Sequence, residues 1–546
     1  PEMASRSFFR QLSSGRSAHA AINKSLMQRT VVDGEADVTS LNILTGDRMV
    51  VRLSAPDHKE QKSRRFRRQF NLPKEAVDGL REAIVKSEKN PKQLQHEADQ
   101  LAEKILSRRF PASPEVVKEA RNRIRQRMKV KLRDDEEEIL DENLNEQIRE
   151  EKERQIKNAV DKELKRSHFN WKPMEATSDE AALSYALARL APNYAEVARA
   201  LEELQAVDGG KWAPASVLDF GAGAGGAFWA LNERYGESMK EYTAIEANDH
   251  SSRSAMDIMR KRGSTSLVHG GVHFRRHLVP SLQTTYDLVV VHRTLIELAS
   301  QEARFQLVES LWRRANRFLI LIESGMEDSF SALMDVRNFL LTMGTMMDRE
   351  QAEEMLKYHG KWNELTARLL NEDRISDYER FEIIRQQLPP SVSPPTMLPP
   401  ATVVAPCPHD LGCPKQAMST PCPFHVRWSP IRADGKSGRA NDDGTEKGSM
   451  SFTILEKGVR AAETEPFPRI LEMRKLHGHL NCDTCTAFKG LQRITVSKRA
   501  GELYSALRQR RSGEIFPLHT EVLQSENTFD VFDASVEKVK NDRKKK

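Results

Sequence analysis

The spacing of hydrophobic positions changes several times along this chain, and each change marks a boundary. Residues 60–170 are charge-dense. Their sparse apolar residues, such as Leu80, Ile84 and Val85, recur at helical spacing, which predicts solvated helices with little core of their own. From 176 to 345, apolar stretches of helical period alternate with short β-branched runs, among them YDLVVV (286–291) and RFLILI (317–322). That alternation predicts an α/β domain. Residues 346–388 are polar and helical in pattern. Eight prolines then fall between Leu388 and Pro408, and because each fixes φ and removes a donor, the stretch predicts a semi-rigid linker. Residues 431–449 are rich in Gly, Asp and Lys and poor in apolar residues, which predicts a disordered loop. Strand-like SFTIL (451–455) and LQRITV (491–496) follow, and no internal repeat is present. The chain therefore divides into a leader (1–30), a charged helical region (31–175), an α/β domain (176–345), a helical insertion (346–388), a Pro-rich linker (389–406), a cysteine-bearing module with small β structure (407–520) and a basic tail (521–546).

Composition limits the possible classes. The 546 residues carry a formal charge of +6, are 30% charged and 38% hydrophobic, and have a mean hydropathy of −0.61. The apolar runs span about six residues against the roughly 20 a membrane helix needs, so no membrane insertion is expected. In the first 30 residues Glu2 stands against Arg6, Arg10, Arg16, Lys24 and Arg29, with six serines among them and Phe8, Phe9 and Leu12 able to form one stripe. This is the composition of a mitochondrial presequence, or simply of a basic N-terminus. SRRFRRQF (63–70) and RNRIRQRMKVKLR (121–133) are strongly basic. They read either as solvated helical faces or as a basic arm lying along phosphates, and the sequence leaves both open.

The first candidate chemistry is a glycine loop. Val217-Leu218-Asp219-Phe220 predicts a strand running into Gly221-Ala222-Gly223-Ala224-Gly225-Gly226 and then a helix, AFWALNERY. Gly221, Gly223 and Gly226 fit the dinucleotide spacing GxGxxG, but Asp219 argues against a pyrophosphate, which its carboxylate would repel. S-adenosylmethionine presents an ammonium and a sulfonium there instead, and glycines let the backbone approach its amino-acid part. A second strand, EYTAIEAND (241–249), brings Glu246 to its end, 27 residues after Asp219, where a carboxylate can accept both ribose hydroxyls. The expected cofactor-binding residues are thus Asp219, Gly221, Gly223, Gly225 and Glu246. A glycine turn without a ligand, or a degenerate empty site, gives the same pattern.

Catalytic residues are not legible. The strand 286–291 leads into His292-Arg293-Thr294-Leu295-Ile296-Glu297-Leu298, with neither the Asn/Asp-Pro-Pro-aromatic cluster of amino-group methylation nor a cysteine nucleophile. His292 could act as a base, and Arg293 could contact phosphate.

The cysteines form the second candidate site. Residues 1–406 hold none, and Cys407, Cys413, Cys422, Cys482 and Cys485 follow within 79 positions. Scattered buried thiols would not cluster so. Four thiolates suit zinc or an iron–sulfur cluster. The wide Cys407–Cys413 spacing leans towards a cluster, while His409, His425, His477 and His479 keep mixed zinc sites open.

These motifs resemble those of the methyltransferase-like assembly factors of the mitochondrial ribosomal small subunit, a family with bacterial relatives. The resemblance runs from about Ala176 to Pro517. Tyr185, Arg189 and Tyr194 stand in the family's Tyr/Arg/Pro-Ala-Thr-Tyr segment, and VLDFGAGAGGAFWA is close to its VLDFGAGPGTA. APCPHDLGCP is close to APCPHDGPCP, and Cys422-Pro-Phe-His is similar to Cys-His-Phe. FTILEKG (452–458) and HGHLNCDTCT (477–486) follow in order. The resemblance implies a class I methyltransferase Rossmann-like α/β domain that binds S-adenosylmethionine. It implies a 4Fe–4S cluster on Cys407, Cys413, Cys422 and Cys485, with Cys485 preferred to Cys482 because the family has a single cysteine directly before Thr. It implies a mitochondrial matrix protein that binds small-subunit rRNA beside ribosomal proteins and other assembly factors, supports mitochondrial translation and is not an active methylase. Three departures stand out. Glu323-Ser324-Gly325-Met326-Glu327 replaces the family's Glu-Pro-Gly-Thr-Pro, 346–400 and 431–449 read as insertions, and the first 175 residues are not covered. An active rRNA methyltransferase and a zinc-stabilised RNA-binding scaffold are the competing readings.

Overall fold

A computed structural model describes residues 28–32, 41–44, 50–54, 66–131, 142–167, 172–372, 375–389, 391–436, 444–460, 467–487, 490–516 and 519–523. The chain folds as two compact units. The larger comprises 67–405 and 419–459, the smaller 1–66, 406–418 and 460–546. Element labels below refer to the larger unit.

The larger unit is built on one sheet. Its strands are β1 (Ser216–Phe220), β2 (Glu241–Ile245), β3 (Val272–Arg275), β4 (Tyr286–His292), β5 (Ala315–Ser324), β6 (Ala401–Ala405), β7 (Phe424–Trp428) and β8 (Glu446–Lys457). The order is β3-β2-β1-β4-β5-β8-β7, with β6 also paired to β8. Strands β1 to β5 are mutually parallel, and β8 runs antiparallel to β5, β6 and β7. A parallel sheet whose order reverses at β1 and which carries one antiparallel strand next to its fifth is the class I methyltransferase topology. Parallel strands are covered on both faces and so read as continuous apolar runs. Successive residues of β4 and β5 serve opposite faces. Leu288, Val290, Phe318 and Ile320 join the core shared with the N-terminal helices, and Val289, Val291, Leu319 and Leu321 are equally buried on the other side.

The helices are α1 (Lys74–Lys86), α2 (Pro91–Leu106), α3 (Pro114–Lys131), α4 (Glu142–Ser167), α5 (Asp179–Asp208), α6 (Gly226–Tyr235), α7 (Asp249–Ile258), α8 (Gln301–Arg314), α9 (Glu327–Met343), α10 (Arg349–Tyr358), α11 (Glu364–Asn371) and α12 (Asp377–Gln387). The region expected to lack a core proves divided. Ala76 and Leu80 of α1 and Leu94 and Ala98 of α2 are buried in the main core, because their narrow apolar stripes dock on the sheet domain. Helices α3 and α4 instead form a hairpin around Ala120, Ile124, Ile156, Val160 and Leu164. Its arginines are ion-paired: Arg121 and Arg125 with Glu153, Arg123 and Arg127 with Glu163. The insertion is helical as expected, with a small core of Ala352, Leu356, Leu370, Phe381 and Ile384 and capping boxes at Asn363 and Ser376.

Two boundaries differ from the sequence reading. The Pro-rich stretch is not a linker: the Pro399 carbonyl accepts from Trp312 Nε1 at 2.8 Å, the Pro395 carbonyl accepts from the Asp348 amide at 2.9 Å, and β6 pairs with β8. Proline lacks a donor, but its carbonyl still accepts. The expected module 407–520 is also divided, because β7 and β8 complete the larger sheet.

The smaller unit contains an antiparallel meander of Arg469–Lys475, His479–Thr486 and Gly490–Ser497, with Gln28–Val32 parallel to the last. It also contains a sheet of Leu41–Leu44, Val50–Ser54 and His519–Leu523, so the segment expected to be helical from residue 31 begins with strands. Residues 1–27 of the expected leader, residues 132–133 of the basic segment, residues 437–443 of the expected loop and the tail after Leu523 lie outside the described residues. Among the described residues no helix is long and apolar enough to cross a membrane.

Candidate functional site

Where parallel strands end beside a change in strand order, a ligand crevice opens. Here a cavity of about 960 Å³ lies there, lined by Gly221, Gly223, Glu246, Asn248, Tyr185, Arg189, His292, Arg293, Glu297 and Glu323 among others. The glycine loop leaves β1 as expected. Gly221 has φ +79°, and its amide donates to the Ile245 carbonyl at 2.8 Å, tying the loop to β2. A Cβ there would stand 2.2 Å from Thr294 Oγ1, so both the left-handed backbone and the space demand glycine. Gly223 packs under the Tyr185 ring of α5, and Gly225 caps α6 with φ +80°.

Glu246 stands at the end of β2. Its carboxylate accepts the Gly223 amide and the Asn248 amide, each at 2.9 Å, which fixes it at the cavity wall. Asp219 is placed otherwise. It is buried, accepts the Tyr242 hydroxyl, and is not among the cavity-lining residues. Burial pushes its carboxyl up to about 7, with Glu246 adding to the rise against the Tyr242 hydrogen bond. Gly221, Gly223 and Glu246 are thus brought together around one cavity, while Asp219 and Gly225 are not among its lining residues.

The ends of β4 and β5 carry a buried charge network that the sequence did not reveal. Glu196 of α5 accepts His292 Nε2 at 2.8 Å, Arg293 Nε at 2.8 Å and Arg293 Nη2 at 2.6 Å, with Arg189 Nη2 at 3.6 Å. Burial opposes charge on Glu196, but Arg293, His292 and Arg189 outweigh it and hold its carboxyl well below the ordinary range. Burial lowers His292 in spite of Glu196, whose carboxylate faces its Nε2 at 2.8 Å. Arg293 sits at φ +54°, a conformation costly for a non-glycine residue. Glu323 accepts the Leu295 amide at 2.7 Å, and burial pushes it up to about 7. The only sequence signal for Glu196 was an acid inside the apolar run of α5.

The segment after α2 closes one side of the cavity. Arg108 forms a two-pronged pair with Glu297, which also accepts the Met174 amide. Arg109 pairs with Asp328 at 2.8 Å, and Arg304 stacks on the Phe110 ring.

In the smaller unit, Cys482 and Cys485 share the strand His479–Thr486. Side chains alternate along a strand, so residues three apart face opposite ways and this CxxC cannot chelate as a pair. Cys482 is buried, and burial with Asp483 pushes its thiol up to about 12. Cys485 Sγ lies 3.3 Å from His409 Nε2. Its cross-strand partner Arg469 donates to the carbonyl of Pro406, the residue before Cys407, at 3.0 Å. Gly490, paired with Thr486, lies where an added Cβ would be 3.6 Å from Pro414, the residue after Cys413. The Cys407 and Cys413 segments thus approach the Cys485 end of the strand. Cys422 belongs to the larger unit, where its carbonyl accepts Ser451 Oγ at 3.2 Å. None of the five cysteines forms a disulfide. Among the described residues no three His, Cys, Asp or Glu side chains are grouped so as to hold a metal ion.

A family profile described as mitochondrial small ribosomal subunit Rsm22 matches residues 179–351 and 376–517. The chain is 26% identical over 372 residues to the Homo sapiens "Ribosome assembly protein METTL17, mitochondrial", covering 67% of this chain and 69% of that protein. It is 23% identical over 272 residues to Rsm22-cox11 tandem protein 2, mitochondrial, of Schizosaccharomyces pombe, covering 44% of this chain and 30% of that one. Among solved structures it is similar to magnesium protoporphyrin IX methyltransferase from Synechocystis PCC 6803 with bound SAH, at 16% identity and a TM-score of 0.23, covering 29% of this chain and 74% of that one. The family match spans more than half of the chain, which belongs to the Rsm22 family.

Proposed function

We propose that this Rsm22-family chain acts in the mitochondrial matrix as an assembly factor of the small ribosomal subunit. In this reading it binds small-subunit rRNA beside ribosomal proteins and other assembly factors, holds S-adenosylmethionine in the glycine-loop cavity, and transfers no methyl group. The observation that carries the reading is the cavity itself. Its cofactor half has an open glycine loop and a fixed carboxylate at Glu246, while His292 and Arg293 on the acceptor side are locked onto Glu196. The absence of methyl transfer is read from the segment after β4, His292–Leu298, which has neither an Asn/Asp-Pro-Pro-aromatic cluster nor a cysteine nucleophile. The relatives' names support the ribosomal and mitochondrial parts.

Cells lacking the protein should be depleted of mature mitochondrial small subunits and of mitochondrial translation. Complementation with His292→Ala/Glu297→Ala, shown by calorimetry still to bind S-adenosylmethionine, should restore both. Failure to restore them, together with loss of one rRNA methyl group, would make the protein a methylase.

The same reading includes a 4Fe–4S cluster on Cys407, Cys413, Cys422 and Cys485. Soft thiolates are the donors such a cluster takes, and Cys482 faces the opposite side of its strand from Cys485. The cluster would supply a cross-link whose binding energy is also folding energy. Anaerobically purified protein should contain about four irons and four sulfides per chain. Cys485→Ser should lose them and Cys482→Ser should keep them. One equivalent of zinc in place of iron, or the opposite behaviour of the two variants, would overturn this assignment.

A further inference from the structure

The face of α5 that meets the glycine loop carries Tyr185, Arg189 and Asn193 at successive four-residue steps, which places them on one side of a helix. That face is set against the loop at both ends. A Cβ on Gly223 would stand 3.5 Å from the Tyr185 ring, and one on Gly226 would stand 2.7 Å from Asn193 Cβ. Arg189, between them, lines the cavity.

The charges around Arg189 do not balance. Two guanidiniums, the buried Arg189 and the part-buried Arg293, share the single buried carboxylate of Glu196, and Arg293 takes both of its oxygens. Burial disfavours the charged forms of both His292 and Glu323 beside them. Arg189 keeps one hydrogen bond, from Nη2 to Asn193 Oδ1 at 2.7 Å, and reaches Glu196 only at 3.6 Å through the same nitrogen. Among the described residues no hydrogen bond engages its Nε or Nη1. A buried guanidinium with an open fork is unfavourable on its own and matches the two oxygens of a carboxylate.

We infer that Arg189 receives the α-carboxylate of the amino-acid part of S-adenosylmethionine, with the Tyr185 hydroxyl beside it. The inference rests on the proposed cofactor and adds to it. Glu246 would fix the nucleoside end, the glycine loop would accept the amino-acid end by close backbone approach, and Arg189 would select ligands that carry the carboxylate. The bound anion would also neutralise the surplus charge of the α5 cluster, so cofactor binding and the packing of α5 on the loop would be linked.

Calorimetry with three probes tests this: S-adenosylmethionine, its decarboxylated analogue, and 5′-methylthioadenosine, which lacks the amino-acid part. A charge-assisted hydrogen bond contributes about 1.5–3 kcal/mol, so wild type should prefer S-adenosylmethionine over the decarboxylated analogue by about 10- to 100-fold. Arg189→Met should abolish that preference while leaving the affinities for the other two probes unchanged, and Arg189→Lys should retain part of it. In the ligand-free protein Arg189→Met should not lower the Tm, because it removes a surplus buried charge. Retention of the full preference by Arg189→Met overturns the inference alone. Loss of methylthioadenosine binding in both variants makes Arg189 a residue of the fold and also overturns it. Wild type that binds none of the three probes overturns the cofactor reading, and this inference with it.

Discussion

Gly221→Ala is the sharpest test of the loop geometry, because two separable penalties act at one position. The first is backbone: at φ +79° an alanine sits in the left-handed region, at about 1–2 kcal/mol for an L-residue. The second is space. The added Cβ would meet Thr294 Oγ1 at 2.2 Å and its Cγ2 at 3.2 Å, and overpacking of this kind costs about 1–3 kcal/mol. Together they predict a loss of about 2–5 kcal/mol. Thr294→Ala alone removes a hydroxyl that reaches the Phe220 and His292 carbonyls only at 3.3 and 3.2 Å, so about 1 kcal/mol is expected. The double variant loses the clash but keeps the strained backbone. It should therefore be more stable than Gly221→Ala, with a coupling energy of about 1–3 kcal/mol. Denaturant unfolding followed by tryptophan fluorescence measures this, and the five tryptophans among the described residues belong to the larger unit, so their signal reports the unit that is perturbed. Gly221→Ala within about 0.5 kcal/mol of wild type, or strictly additive effects, would refute the geometry.

Further outcomes follow from the buried charges. Asp219 is raised from an ordinary 3.8 to about 7, so between those values the folded state binds more protons than the unfolded chain. Stability should fall as pH rises through that window and level off above it, by at most about 4 kcal/mol from this residue. Unfolding curves at pH 4.5, 6 and 7.5 should show the slope flattened in Asp219→Asn, and an unchanged slope would contradict the assignment. Arg108→Ala leaves Glu297 as a mostly buried carboxyl without its counter-charge. It should cost about 2 kcal/mol at pH 8 and less at pH 5, where Glu297 can protonate, and it should speed amide exchange over 107–110. Equal costs at the two pH values would mean that the ion pair contributes nothing.

The sheet domain was legible because its signals are local. An apolar strand, a glycine loop and an acid at the next strand end occur in sequence order, and the structure places the loop and Glu246 on one cavity wall. Asp219 shows the limit of that reading. The direction of its side chain depends on Tyr242 across the neighbouring strand, a partner 23 residues away that no motif marks. The Glu196 network was invisible for the same reason. A carboxylate inside an apolar helix becomes meaningful only once β4 brings His292 and Arg293 against it. Proline content misled in the stretch 389–406, because it reports lost donors and says nothing of the carbonyls that anchor the segment to Trp312 and Asp348.

The paired cysteines make the opposite case, in which secondary structure decides a question that spacing left open. In a turn, C-x2-C brings two sulfurs to one metal. The same spacing inside the strand His479–Thr486, whose register with Gly490–Ser497 runs unbroken from His479 to Thr486, turns them to opposite faces, since an odd step reverses the side. Cys485 then meets His409 at one face, and Cys482, opposite Ile494 and Met473 in the register, is a buried apolar position filled by a small thiol. A hydrophobic replacement of similar size, Cys482→Val, should therefore change stability by less than about 1.5 kcal/mol and leave the iron of the proposed cluster in place. The same change at Cys485 should remove the iron. Loss of iron in Cys482→Val with an unchanged fold would show that strand parity does not choose the ligand.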